Sequence, residues 1–205
     1  MARRDSQTQR LRPAPAASRT AAPARSQLSR LPRLAGWIAL AACVTALNIS
    51  KLENNDIWIH LKTGEYVLQT GWVPLNDPYS FTAADRAYVA HEWLAAVLFY
   101  LAYAFSGVIG LAIFKALVIA AACAFLYGAV RAAGGRLAVM LPAFALLLYI
   151  ASARYMERPH IFAYLMAAAY LWLFFRYRDG DRNRRWLYLI VPADILWTNL
   201  HGSFI

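Results

Sequence analysis

Apolar residues along this chain fall into blocks. Five apolar stretches occupy 34–49, 92–106, 108–130, 137–153 and 160–175, and a sixth, 186–200, is interrupted by Pro192 and Asp194. Runs of this length without an alternating pattern predict helices rather than strands. Between the first two blocks, Ile57, Leu61, Gly64 and Leu68 recur at i, i+4, i+7 and i+11, which predicts an amphipathic helix over 56–70. "QTGWVPLNDPYSFT" (69–82) follows, where Gly71, Pro74 and Asn76-Asp77-Pro78 force turns. The fold expected is all-α, and no internal repeat interrupts it. Residues 1–33 are Arg, Ala, Pro, Ser and Gln with few bulky apolar side chains, the composition of a disordered tail.

Composition decides what kind of helical protein this is. The chain is 60% hydrophobic and 16% charged, more apolar and less charged than a soluble domain of its size. That points to a multi-pass membrane protein, since a span takes about 20 apolar residues. The net charge of +10 does not signal nucleic-acid binding, because the basic residues are clustered beside apolar blocks. Eight precede residue 34 and five more fall in "RYRDGDRNRR" (176–185). Such clusters anchor topology and meet anionic headgroups. Cys43 and Cys123 both lie inside apolar runs, where cysteine acts as a small hydrophobe.

Charge also orders the crossings. If all six stretches cross with the N-terminus inside, the loop charges divide ten and ten. If 93–107 instead lies along the outer surface, fifteen fall inside and five outside, as the positive-inside tendency requires. The expectation is therefore a basic cytoplasmic tail (1–33), a transmembrane domain (34–205) and an external loop spanning 50–107. "DIWIH", "AHEW", "ARYMERPH" and "NLHGS" then all gather on the outer face.

These polar stretches hold the candidate chemistry. Asp56 is either the N-cap of the 56–70 helix or a general base at the membrane surface, with His60 one turn along. Glu92 in "HEW" (91–93) caps the following helix or joins His91 in positioning a substrate. Arg154, Glu157, Arg158 and His160 crowd into seven residues. Arg158 with His160 suits a phosphate, whereas Arg154 with Glu157 makes an ordinary surface pair. Asn199 and His201 end the last stretch, as a cap or as part of the same site. Lys115, near the end of its span, is expected to snorkel to the headgroups. Asp194 requires a cross-bundle partner or a wet cavity.

The order of these features resembles the first external loop of the GT-C glycosyltransferases. An Asp follows the first span and opens an amphipathic helix; "TGWVP", a turn-rich stretch and "HEWLAAVLFYLAYAFSG" succeed it. That superfamily includes protein O-mannosyltransferases, lipid A aminoarabinose transferases and the catalytic subunit of oligosaccharyltransferase. Ala90-His91-Glu92 stands where Lys-Pro-Pro is usual. The resemblance implies a GT-C-like helical bundle with juxtamembrane helices, at the outer face of a bacterial cytoplasmic membrane. It implies a polyprenyl-phosphate-linked sugar as donor and a glycan, lipid or protein as acceptor. Asp56 would be the base; Arg158, His160 and Arg154 would hold the lipid phosphate; and His60, His91, Glu92 and His201 would position the substrates. A divalent metal is the cofactor this chemistry allows, with Asp56 and Glu157 as its acidic candidates. A complete module carries further spans, so the resemblance also implies that 34–205 is part of one. The other readings are a non-catalytic scaffold that keeps the fold and binds lipid, and, less favoured, a transporter.

Overall fold

A computed structural model describes residues 54–83, 86–152, 154–178 and 184–204, with Ala42 and Ala46; all lie within the compact unit Trp37–Ile205. The expected tail, most of the first apolar stretch including Cys43, and part of the 176–185 loop lie outside the described residues. The fold is helical, and no strand is formed among the described residues. Among the described residues, five α-helices follow in order from residue 57: α1 (Ile57–Thr70), α2 (Trp93–Ala132), α3 (Leu137–Ser152), α4 (His160–Arg178) and α5 (Ile190–Leu200). Short 3-10 turns at Arg184–Leu189 and Gly202–Phe204 flank α5.

The first two helices meet through a close backbone approach. Ile57, Leu61 and Gly64 of the apolar stripe are buried, while Leu68 is half exposed. Thr63 is buried too; its hydroxyl donates to the Ile59 carbonyl and pairs with the Tyr79 hydroxyl at 2.7 Å. A Cβ at Gly64 would lie 2.3 Å from the Ala96 carbonyl oxygen, so only glycine admits α2 this closely. In the connection between the helices, the Asp77 carboxylate accepts from the Tyr79 and Ser80 amides, an Asx turn.

α2 has two arms. The sequence predicts separate helices over 93–107 and 108–130, and the chain breaks between them at Ser106 and Gly107. Gly107 has φ 57°, the left-handed region that a side chain disfavours. Trp93–Ala132 is thus two helical arms joined at a kink, and it holds a stretch long and apolar enough to cross a membrane. α5 tolerates Pro192 because proline near a helix start removes an amide that lacks an intrahelical partner anyway.

α1 and α4 both pack on α2. Phe99, Phe114 and Phe162 form an aromatic triad with centroids 5.8–6.1 Å apart, joined by Ile57, Leu61, Leu111 and Ile161. Large aliphatic residues on α2 and α3 point outward, among them Leu117, Leu141, Leu146 and Ile150. Exposed apolar surface on this scale belongs against lipid or another apolar phase.

The segment between α3 and α4 holds two ion pairs. Lys115 is fully buried, and its Nζ lies 2.6 Å from Glu157 Oε1. This corrects the snorkelling expected of Lys115 and the surface pair expected of Arg154 with Glu157. A buried ammonium is stabilised only with a counter-charge, and Glu157 supplies it. Asp194 takes the first of its two alternatives: the Tyr170 hydroxyl of α4 donates to it.

Candidate functional site

The site forms where three short segments meet at the same ends of the helices: the start of α1, the start of α2, and the 154–160 connection, with the chain just beyond α5 closing one side. Asn54 ties the first to the third. Its buried side-chain amide donates to the Glu157 carbonyl, while its Oδ1 accepts from the Asp56 amide. The Lys115–Glu157 pair anchors this connection from below, so Arg158 is presented on a braced backbone. Asn199 ties α5 to α2 by accepting from Trp93 Nε1 at 2.6 Å.

A cavity of about 440 Å³ opens there, lined by Asp56, His60, Glu92, Arg154, Met156, Arg158, Pro159, His160, Tyr164 and His201. It gathers seven of the eight residues singled out for catalysis or substrate binding. The eighth, His91, lies behind Glu92 and lines a smaller neighbouring cavity. The chain has four histidines, and all four belong to this region. Met156, Pro159 and Tyr164 are apolar or aromatic wall residues that carry no sequence signal of their own.

Asp56 occupies the N-cap position of α1, yet its side chain makes no capping hydrogen bond. Its Oδ2 instead meets the Arg158 guanidinium at 2.6 Å, with both groups half exposed at the mouth of the cavity. Asp56 and Glu157 therefore pair with different cations. Glu92 likewise takes the N-cap position of α2 without capping it. Three imidazoles face it: His201 Nε2 at 3.4 Å, His91 Nε2 at 3.7 Å and His60 Nε2 at 4.0 Å. Burial pushes the Glu92 carboxyl above its ordinary range, opposed by the charge of His91. Burial also pushes His60 and His201 down, so both rings favour the neutral form.

Hydrogen bonds assign the tautomers. His160 Nε2 donates to the Arg154 carbonyl at 2.7 Å, which seats the ring on the wall. The Ser203 amide donates to His201 Nδ1, so the neutral ring carries its proton on Nε2, toward Glu92. That nitrogen is then no metal ligand. Among the described residues no group of three or more His, Cys, Asp or Glu side chains is arranged to hold a metal.

Chemically, the cavity offers a cationic wall from Arg154 and Arg158, neutral imidazoles, and two carboxylates of different character. Asp56 is matched by a guanidinium; the ion-pair partners of Glu92 among the described residues are all histidines. Comparison with protein-family models, curated proteins and solved structures returns no match.

Proposed function

We propose that this chain is a multi-pass membrane glycosyltransferase unit that transfers a sugar from a polyprenyl-phosphate donor to an acceptor hydroxyl. One observation carries the reading: the Asp56–Arg158 pair at the mouth of a cavity whose walls also hold Arg154 and His160. A phosphate pairs with a guanidinium through two parallel hydrogen bonds, as a carboxylate does, so the two compete for Arg158. A lipid phosphate entering here exchanges with Asp56 on Arg158. Asp56 is then released beside the anomeric carbon, free to accept the acceptor's proton as the sugar transfers. Arg158, Arg154 and His160 stabilise the phosphate as it leaves, which is where charge accumulates. Glu92, His60 and His201 line the space left for the sugar and acceptor, and no step requires a metal.

Membrane placement belongs to the same proposal. The long apolar helix and the outward aliphatic residues support lipid contact. We place the cavity at the outer face of the cytoplasmic membrane, with a cytoplasmic N-terminal tail and five crossings. Ala133→Cys, in a chain whose native cysteines are replaced, tests this: labelling by an impermeant external thiol reagent refutes it. The catalytic reading is tested in proteoliposomes containing polyprenyl-phosphate sugars. Transfer at the wild-type rate by Asp56→Asn would exclude Asp56 as base.

A further inference from the structure

Three acids stand at this end of the fold, and two of them hold a cation at 2.6 Å: Glu157 has Lys115, and Asp56 has Arg158. Among the described residues Glu92 pairs with no lysine or arginine. Its side chain is only 20% exposed, and it takes the N-cap position of α2 without capping it. Its nearest polar neighbours are imidazole nitrogens at 3.4, 3.7 and 4.0 Å. N–H···O hydrogen bonds run about 2.7–3.2 Å, so among the described residues this carboxylate accepts none. A largely buried carboxylate is costly unless its lone pairs are met. Here the protein leaves them for whatever fills the cavity.

The carboxylate is also held still. Phe99 backs the His60 ring, with centroids 6.3 Å apart. The Ser203 amide fixes His201 through Nδ1, and the bond from Trp93 Nε1 to Asn199 fixes the start of α2 against the end of α5. Burial pushes His60 and His201 toward the neutral form, so neither ring matches the charge of Glu92. The neutral His201 carries a proton on Nε2, a donor beside the Glu92 acceptors. Such a mixture suits hydroxyl groups, which donate and accept; an ammonium group only donates. Hydroxyls also make short, strong hydrogen bonds to a carboxylate. Its two oxygens suit two hydroxyls on neighbouring carbons.

α1 sets where those hydroxyls lie. Asp56 and His60 are four residues apart, about 6 Å along the helix axis, comparable with the width of a pyranose ring. With the anomeric carbon beside Asp56, the opposite edge of the ring reaches His60 and Glu92. In a hexopyranose that edge carries the 3- and 4-hydroxyls. We propose that Glu92 recognises the transferred sugar, its carboxylate accepting from the 3- and 4-hydroxyls of a pyranose in which both are free. This rests on the sugar-transfer reading and gives it a substrate class. Glu92 is then a specificity-determining residue, set a ring's width from the bond that breaks.

Binding without transfer tests this, by calorimetry on protein in phosphatidylethanolamine–phosphatidylglycerol nanodiscs. The reference probe is dodecyl methyl phosphate, a sugar-free diester. The sugar probes are dodecyl phosphodiesters of glucose, mannose and galactose, with the 3-deoxy, 4-deoxy and 4-amino-4-deoxy forms of the tightest. At least one sugar is expected to bind about tenfold or more tightly than the reference. Glu92→Gln, or Glu92→Asp if the first does not fold, should lower affinity for that sugar probe roughly ten- to hundredfold. Affinity for the reference should be undiminished, which shows an intact fold. Each deoxy change should cost the wild type a similar factor and the Glu92 variant much less, as for two groups in contact. The proposal is overturned if no sugar outbinds the reference, or if the deoxy changes cost both proteins equally. Tighter binding of the 4-amino form would overturn it too, by making the occupant an ammonium group. Loss of the sugar-transfer reading, by contrast, shows in the Asp56→Asn transfer assay and leaves these affinities unchanged.

Discussion

Glu157 and Arg158 are neighbours in sequence, and each makes an ion pair at 2.6 Å. The two pairs nonetheless do opposite things. Lys115 and Glu157 are 0% and 4% exposed, whereas Arg158 and Asp56 are 46% and 55% exposed. The buried pair is shut off from water, so it holds the α3–α4 connection against α2. The exposed pair has water and any arriving anion as competitors, so it is exchangeable. Equal distance thus hides unequal consequence, because the surroundings set what breaking each pair costs.

Single substitutions in the buried pair should produce the largest effect. Glu157→Gln or Lys115→Met is expected to destabilise by about 3–5 kcal/mol, since each strands a buried charge. Replacing both by apolar residues should recover most of that loss in denaturant unfolding. If the double variant is as unstable as the singles, the pair is not a self-contained unit. Asp56→Asn is the counterpart. Its effect on unfolding should stay within about 1 kcal/mol, while sugar transfer falls roughly 10²- to 10⁴-fold. A large stability loss there would erase the distinction between the pairs.

Gly64→Ala sharpens the comparison by moving α1 without touching a charge. The new methyl meets the Ala96 carbonyl, and overpacking of this kind costs about 1–3 kcal/mol. Because α1 carries Asp56 and His60, binding of dodecyl phosphate should weaken as well, measurable by calorimetry. Unchanged affinity would show that the cavity does not depend on how α1 sits against α2.

The smallest effects concern pH. His60, lowered from 6.5 by burial, binds fewer protons in the folded than in the unfolded chain below that value. Its contribution to stability is therefore lost as pH falls below 6.5 toward its folded value. Glu92, raised from 4.5, has the opposite sign: its contribution declines as pH climbs above 4.5 through its folded value. His60→Gln should flatten the acid side of a melting-temperature profile, and Glu92→Gln the side above pH 4.5. Arg158→Lys, in the exposed pair, should change neither slope.

Much of the helical layout was legible in the pattern. The stripe Ile57, Leu61 and Gly64, the break at Ser106-Gly107, the starts of α3 and α4 and the end of α5 follow from local signals, because helix periodicity and turn chemistry act over a few residues; α4 runs on to Arg178 and α5 begins only at Ile190. That Asp56, His60, Glu92, Arg158, His160 and His201 share one end of the fold was expected from charge asymmetry. Their partners were not legible. Lys115 looked like a snorkelling residue and Glu157 like the surface partner of Arg154. Neither reading anticipated that the two would meet each other across the packed helices.

Left to itself, the sequence determined a helical, strongly apolar chain with its titratable groups gathered between apolar blocks. Hydrophobic periodicity and turn residues set those features locally. Only the tertiary structure decided that Asp56 turns from capping to Arg158, that Glu92 collects three imidazoles, and that Lys115 is buried with Glu157. Each of those choices joins segments far apart in the chain. The packing of α1 and α4 on α2 determines which side chains meet and how much water reaches them, and that exclusion of water separates a structural ion pair from an exchangeable one.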